Sequence, residues 1–299
     1  MPRPPAPAPT PTTPPAPAPP TTGPAAFEAA VEALAGHRVV VLTGAGVSTD
    51  SGIPDYRSPR AHARRAPMQH DAFVRDAAAR RRYWARSAAG WPRVAAAAPN
   101  AAHDALARLE AAGVAVGVIT QNVDGLHQRA GSRRVVELHG TLAQTRCLGC
   151  GARTPRAWVQ REMARLNPGH PLDARLAPDG DADLPDAVAE AFAVPPCPRC
   201  GGALMPDVVF FGGSVPRATV DAAWALFDEA DALLVAGSSL AVYSGYRFAL
   251  RAEKDGRPSA LVTLGPTRAD ARVRAKLEAP LGTALPRLAA RLIAASATA

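Results

Sequence analysis

Short, mostly apolar runs separated by stretches with helical spacing constrain this chain more than any other feature. Val39–Leu42, Val114–Thr120, Val135–Leu138, Ala232–Ala236 and Ala260–Thr263 do not alternate between apolar and polar residues. A strand wetted on one face alternates, whereas one covered on both faces reads as a continuous apolar run. Between these runs, Phe27, Val31 and Leu34, then Leu106 and Leu109, Trp224 and Phe227, and Leu285, Leu288 and Leu292 recur every three or four residues, as on one helix face. Another helix is expected near Tyr246–Arg251. Asn100 is placed to cap the Leu106 helix and Gly113 to end it. Alternating strands and helices predict an α/β fold with a Rossmann-like parallel sheet covered by helices on both faces.

The pattern breaks at Cys147 and resumes near Val208-Val209-Phe210-Phe211. The only four cysteines form two Cys-x-x-Cys pairs, Cys147/Cys150 and Cys197/Cys200. Two such turns supply the four thiolates of a tetrahedral zinc site, and a site filled by four cysteines has no open position for chemistry. The expectation is one structural Zn2+ in a smaller inserted zinc-binding domain over residues 141–205. The Rossmann-like domain would then comprise 25–140 and 206–295. Structural disulfides are disfavoured because the chain shows no secretion signal, and a redox pair would not be duplicated at this spacing.

Residues 1–24 are about half proline, with alanine and threonine between, and are expected to form a disordered arm. The arm has one arginine, no apolar h-region and no amphipathic arginine periodicity, so it does not read as a targeting peptide. No run approaches the roughly 18 apolar residues that span a bilayer, so no membrane association is expected and a cytoplasmic location is. The net charge of +8 comes almost wholly from arginine, since Lys254 and Lys276 are the only lysines. General coding bias accounts for that as well as a nucleic-acid face does, and nucleic acid is disfavoured. Nine arginines lie between Arg60 and Arg93. They read either as a solvated helix face or as an attraction for an anionic ligand, and the interleaved Phe73, Tyr83 and Trp84 favour packed helices.

A glycine-rich loop, Thr43-Gly-Ala-Gly-Val-Ser-Thr-Asp-Ser-Gly-Ile-Pro-Asp-Tyr-Arg-Ser58, leaves the first apolar run. Glycine lets backbone N–H groups approach a phosphate, and a following helix start favours negative charge. The loop lacks the Gly-Lys-Ser/Thr of a Walker motif, and Thr49 stands where a dinucleotide fingerprint needs glycine or alanine. Asp55, Tyr56 and Arg57 add more polar equipment than a turn requires. In open parallel sheets, ligands bind beyond the carboxyl ends of the strands. Gly44-Ala45-Gly46, Gln121-Asn122-Val123-Asp124, His139-Gly140 and Gly237-Ser238-Ser239 all follow predicted strands and should share one crevice. His139 is the candidate general base, because imidazole titrates near neutrality and this one shares the crevice with the nucleotide loop. His62, His70, His103 and His170 read as surface or capping residues.

In this order, the Gly44–Arg57 loop, Thr120-Gln-Asn-Val-Asp-Gly-Leu-His127, Leu138-His-Gly140, the paired Cys-x-x-Cys, Pro206-Asp-Val-Val-Phe-Phe-Gly212 and Gly237-Ser-Ser-Leu240 resemble the sirtuin family of NAD-dependent protein deacylases. The resemblance covers residues 25–292. Thr263-Leu-Gly-Pro-Thr-Arg-Ala-Asp270 and Gln69-His70 look most like the bacterial and mitochondrial lipoamidase-like branch. It implies that NAD is consumed as a co-substrate, with its pyrophosphate on Gly44, Ala45 and Gly46 and the helix that follows, and with Asp55, Tyr56, Arg57 and Gln121 nearby. Asn122 and Asp124 would line the nicotinamide pocket with Ile53. Gly237, Ser238 and Ser239 would hold the adenosine half, joined by Thr263, Leu264, Gly265 and Leu281. The implied catalytic set is His139, Asn122 and Asp124. His139 would accept a ribose hydroxyl proton while the acyl group passes from lysine to the sugar, yielding free lysine, nicotinamide and O-acyl-ADP-ribose. Val208, Val209, Phe210 and Phe211 would pair with the acylated-lysine substrate as a strand.

Two positions depart from the pattern: Thr263 stands where the family commonly has asparagine, and Gly213 where an acidic residue often follows Phe-Phe-Gly. The branch that removes acidic acyl groups carries a tyrosine and an arginine three apart after the position of Arg57. No tyrosine lies between Tyr56 and Tyr83 here, although Arg64 or Arg65 could still meet a carboxylate. Protein mono-ADP-ribosylation shares the nicotinamide departure and is the second reading. A non-enzymatic zinc module binding nucleic acid is the third.

Overall fold

The computed structural model describes residues 21–55, 67–170 and 189–297. Most of the expected arm, Tyr56, Arg57, His62, Arg64 and Arg65 lie outside them. The strands are β1 (Val39–Thr43), β2 (Ala115–Thr120), β3 (Val135–Glu137), β4 (Gly140–Cys147), β5 (Arg153–Pro155), β6 (Leu204–Val208), β7 (Ala232–Ala236), β8 (Ser259–Val262) and β9 (Ala275–Leu277). The helices are α1 (Gly23–Leu34), α2 (His70–Arg75), α3 (Ala77–Ala96), α4 (Ala101–Ala111), α5 (Leu126–Arg129), α6 (Arg156–Leu166), α7 (Arg217–Asp228), α8 (Tyr243–Lys254) and α9 (Leu281–Ser296). A short 3-10 helix covers Ala45–Ser51.

Six strands form one parallel sheet in the order β3-β2-β1-β7-β8-β9. The chain runs outward from β1 to one edge and, after the smaller unit, outward from β7 to the other. The strand order therefore reverses between β1 and β7, and a crevice opens at such a switch point. Side chains on β1 alternate between two cores. Val39 and Val41 pack with α1, α4 and α9, whereas Val40 and Leu42 pack with α7 and α8. Burial on both faces is why Val39–Leu42 is apolar at every position. Each such side chain contributes roughly 1.5–3 kcal/mol when fully buried.

Asn100 caps α4 by accepting from the Ala102 N–H at 2.9 Å, and His103 Nδ1 accepts from the Asn100 N–H at 3.3 Å. His103, expected at the surface or in a cap, serves in the cap and is also fully buried. Strand β9 had no signal of its own, since Lys276 sits at its centre. That ammonium is held by Asp270 at 2.8 Å and Glu278 at 2.7 Å.

The second sheet is antiparallel, in the order β5-β4-β6. Helices α2 and α3, which the sequence placed with the parallel sheet, contribute to its core instead. Phe73, Tyr83 and Trp84 pack among Cys147, Val159, Met163, Cys197, Leu204, Met205 and Phe210, and the Trp84 indole donates to the Leu204 carbonyl at 3.0 Å. Pro206–Val208, also expected in the large unit, pair with β4. Four described arginines of the run serve these helices. Arg80 donates to the carbonyls of Phe73 and Val74, Arg81 to that of Glu190, and Arg75 and Arg82 pair with Asp71 and Asp76. Among the described residues, no helix is long and apolar enough to cross a membrane.

Candidate active site at the sheet switch point

The loops after β1 and β7 meet with almost no space between their backbones. Gly46 N–H donates to the Gly237 carbonyl at 2.9 Å, and Gly44 N–H to that of Ala236 at 3.1 Å. A Cβ on Gly46 would lie 2.9 Å from the Gly237 oxygen, and one on Gly44 2.8 Å from Ser238 Cβ. Only glycine permits this approach. The backbone N–H groups of Ala45, Ser238 and Ser239 have no acceptor among the described residues. These three donors at the carboxyl ends of β1 and β7 are the equipment an anion needs. The segment after Gly44 is the 3-10 helix, not the α-helix start expected, so these separate amides replace a helix terminus. Leu240, in the β7 loop, is the only described non-glycine residue with positive φ, at 55°, and its backbone strain sits beside this site.

Asn122 is buried and donates from Nδ2 to the Gly44 carbonyl at 3.1 Å and to Ser48 Oγ at 3.0 Å. Ser48 in turn donates to Asp124 Oδ2 at 2.7 Å, and Asp124 Oδ1 caps α5 through the Leu126 N–H at 2.9 Å. Ser48 was not singled out in the sequence, although it lies inside the loop quoted there. It ties the glycine loop to the β2 loop. Gln121 Nε2 donates to Ser238 Oγ at 2.7 Å and to the Thr43 carbonyl at 3.2 Å, bridging the loops of β1, β2 and β7. Ile53 is buried with Ala97 and Leu126 at the rim. Asp55 is half-buried after the loop. Thr263 and Leu281 are buried, the latter against Gly237, whereas Leu264 is 67% exposed and Gly265 has a φ of 75°.

His139 joins β3 to β4 and so stands between the two sheets. Its Nδ1 lies 2.9 Å from the Gln121 carbonyl oxygen and its Nε2 2.7 Å from Ser244 Oγ. A carbonyl only accepts, so Nδ1 carries the proton and the lone pair of neutral imidazole is on Nε2. Burial pushes the imidazole below its ordinary value; the Gln121 bond opposes this and the nearby Arg247 cation adds to it. His139 is therefore neutral at pH 7, with its basic atom defined. Ser244, in the first turn of α8, gave no sequence signal because its partner lies far away in the chain.

The Val209 N–H donates to the His139 carbonyl at 2.8 Å, so the candidate base and the expected substrate strand are coupled through the backbone. Of Val208–Phe211, only Val208 lies within a strand; Phe211 forms an isolated bridge with Gln69 and is 40% exposed. Strand β6 is an edge of its sheet. Phe211, Val242 and Tyr243 are among the few large apolar side chains left exposed.

The sulfurs of Cys147, Cys150, Cys197 and Cys200 all lie within 4.8 Å of one another, with Cys147–Cys200 at 3.5 Å and Cys150–Cys197 at 3.9 Å. Zinc–sulfur bonds of about 2.3 Å in a tetrahedron separate sulfurs by about 3.8 Å. The tetrad fits a structural Zn2+ and lies in the small unit, away from His139.

A doubly wound sheet with a crevice at its switch point, a strand-end histidine and a four-cysteine module define a nucleotide-using enzyme of the Sir2 type. The Sir2 family model matches residues 44–244. An NAD-dependent protein deacetylase of Xanthomonas axonopodis pv. citri is 54% identical over 250 residues, covering 83% of this chain and 85% of the relative. The human mitochondrial NAD-dependent protein lipoamidase sirtuin-4 is 50% identical over 254 residues, covering 83% and 81%. A solved complex of Sir2 with p53 peptide and NAD+ superposes with a TM-score of 0.68 at 30% identity, over 90% of this chain and 98% of that one. A Sir2 homologue bound to NAD gives 0.69 at 30% identity, over 90% and 94%. The chain belongs to the Sir2 family, an enzyme family of NAD-dependent protein deacylases.

Proposed function

We propose that this protein is an NAD-dependent protein lysine deacylase that transfers the acyl group to ADP-ribose, releasing free lysine, nicotinamide and O-acyl-ADP-ribose. The observation that carries the reading is His139, whose Nδ1 proton is spent on the Gln121 carbonyl at 2.9 Å, leaving the lone pair on Nε2, where the Ser244 hydroxyl holds it at 2.7 Å. NAD supplies the sugar carbon that receives the acyl oxygen and the hydroxyl that gives up the proton. Ala45, Ser238 and Ser239 would offer backbone N–H groups to its phosphates. Asn122, pinned to Gly44, and Asp124, pinned to Ser48, would line the nicotinamide end, and Gln121 would hold the two nucleotide loops together. Thr263, Leu264, Gly265 and Leu281 would border the adenosine half, with Asp55, Tyr56 and Arg57 beyond the glycine loop. The open edge of β6 and its continuation to Phe211 would take an acylated-lysine segment through main-chain bonds, so that local sequence matters little. His139 would receive the sugar hydroxyl proton on Nε2.

The domain division also belongs to this reading, as a Rossmann-like unit carrying NAD and a zinc module bearing the peptide edge, with residues 67–97 counted in the latter. A cytoplasmic location belongs to the same reading. The test is a panel of acyl-lysine peptides assayed with and without NAD. His139→Ala is expected to lower turnover about 10²- to 10⁴-fold, the range of a positioned base. Wild-type, NAD-dependent turnover by that variant would sink the assignment. Acyl-ADP-ribose among the products favours deacylation, whereas a labelled protein acceptor favours mono-ADP-ribosylation.

A further inference from the structure

Ser244 is a nucleophilic side chain hydrogen-bonded directly to the candidate base, and the proposed reaction does not use it. Its Oγ lies 2.7 Å from Nε2 of His139, whose other nitrogen donates to the Gln121 carbonyl at 2.9 Å. That is a nucleophile, a base and a group that orients the base, in line. The depressed proton affinity of His139 keeps Nε2 free to accept the hydroxyl proton near neutrality. The backbone N–H groups of Tyr243 and Ser244, in the first turn of α8, have no acceptor among the described residues, because they precede the first i→i−4 bond of the helix, which runs from the Tyr246 N–H to the Val242 carbonyl. A developing oxyanion beside Ser244 would meet these donors. Ser244 is half-buried, between the exposed Tyr243 and the buried Gly245.

We infer that Ser244 and His139 form a serine–histidine dyad that hydrolyses acyl esters without NAD. The inference rests on the deacylase reading for its natural substrate class, since the product of that reaction is itself an ester formed at a sugar hydroxyl beside His139. Ser244 Oγ attacks the ester carbonyl carbon while its proton passes to His139 Nε2. The tetrahedral oxyanion collapses, the bond to the sugar oxygen breaks, and that oxygen takes the proton from His139, leaving an acyl-serine. Water then adds to the acyl-serine, gives its proton to Nε2, and the serine oxygen recovers it as the carboxylic acid leaves. The net change is ester plus water to acid plus alcohol, with no redox step.

The zinc-loaded protein is incubated with p-nitrophenyl acetate in the absence of NAD, and its peptides are mapped by mass spectrometry. Hydrolysis with an acetyl group on the Ser244 peptide is expected. Ser244→Ala should lose at least about tenfold of that hydrolysis, and His139→Ala a similar amount. Ser244→Cys, which retains a nucleophile, should trap the acyl group as a thioester if the alanine variant fails to fold. Hydrolysis unchanged in folded Ser244→Ala, or acetyl groups only on other residues, overturns the dyad. NAD-dependent peptide deacylation by the wild type is measured in parallel. Its presence without ester hydrolysis removes the dyad alone, and its absence removes the deacylase reading.

Discussion

Gly140→Ala is the substitution that most directly tests how His139, the proposed base, and the β6 edge are held together. Gly140 follows His139, begins β4 and has a φ of +78°, where an L side chain is strained. A Cβ there would lie 2.1 Å from the Asp207 carbonyl oxygen, against a limit of 3.0 Å for real contacts. The backbones of β4 and β6 must then separate by about 0.9 Å, because both partners are main chain. The Val209 to His139 bond, 2.8 Å long, cannot stretch that far and remain a hydrogen bond. One or two lost bonds at about 0.5–1.5 kcal/mol each, with about 1–2 kcal/mol for the left-handed backbone, sum to about 3 kcal/mol. For a chain of this size that lowers Tm by about 6–12 °C. Differential scanning calorimetry of the zinc-loaded protein reads the shift, and a peptide assay reads the displacement of His139 as a fall in kcat greater than the fall in folded fraction. A Tm within 2 °C of wild type, with unchanged kcat, would refute the coupling between the base and the β6 edge.

Stability should fall on acidification. Burial depresses His103 and His139, and takes His127 down to about 3, with the nearby His103 adding to the effect. The unfolded chain therefore binds protons at these sites below its ordinary 6.5 that the folded chain refuses, so the stability of the neutral rings is present above that pH and lost as pH falls. His127 alone costs about 1.4 kcal/mol per pH unit below 6.5 until it titrates. A melting temperature equal at pH 7.5 and pH 5 would contradict this. Chelation of zinc should unfold or inactivate the protein slowly, because the metal sits in the small unit; rapid, reversible inactivation with unchanged circular dichroism would argue for a catalytic metal. Gly46→Ala should push the β1 loop off Gly237 and weaken NAD binding at least tenfold, with calorimetric titration reading the loss, and an unchanged affinity would remove the loop from the nucleotide site.

The parallel sheet was legible because doubly covered strands read as unbroken apolar runs, and β1, β2, β7 and β8 carry that mark. β9 does not, since three residues with lysine at the centre resemble a loop until Asp270 and Glu278 are brought to it. The zinc tetrad was legible because a Cys-x-x-Cys turn is a local geometry. Ser48 and Ser244 were hidden, because a serine acquires a role only from a partner: Asp124 lies 76 residues from the first and His139 lies 105 from the second.

By itself the sequence determined the α/β architecture, the strand ends that converge and the four-cysteine tetrad, and it singled out His139 as the candidate base, each from local pattern or motif order. Only the tertiary structure decided that the aromatic side chains of α2 and α3 pack on the core of the antiparallel sheet, because their stripe has no mark saying which core receives it. It also decided which nitrogen of His139 carries the lone pair, through the Gln121 carbonyl brought beside it. Even the glycine loop changed meaning on folding: Gly44 and Gly46 are required first by the backbone of Gly237 and Ser238 packed against them, a constraint from a strand nearly two hundred residues away.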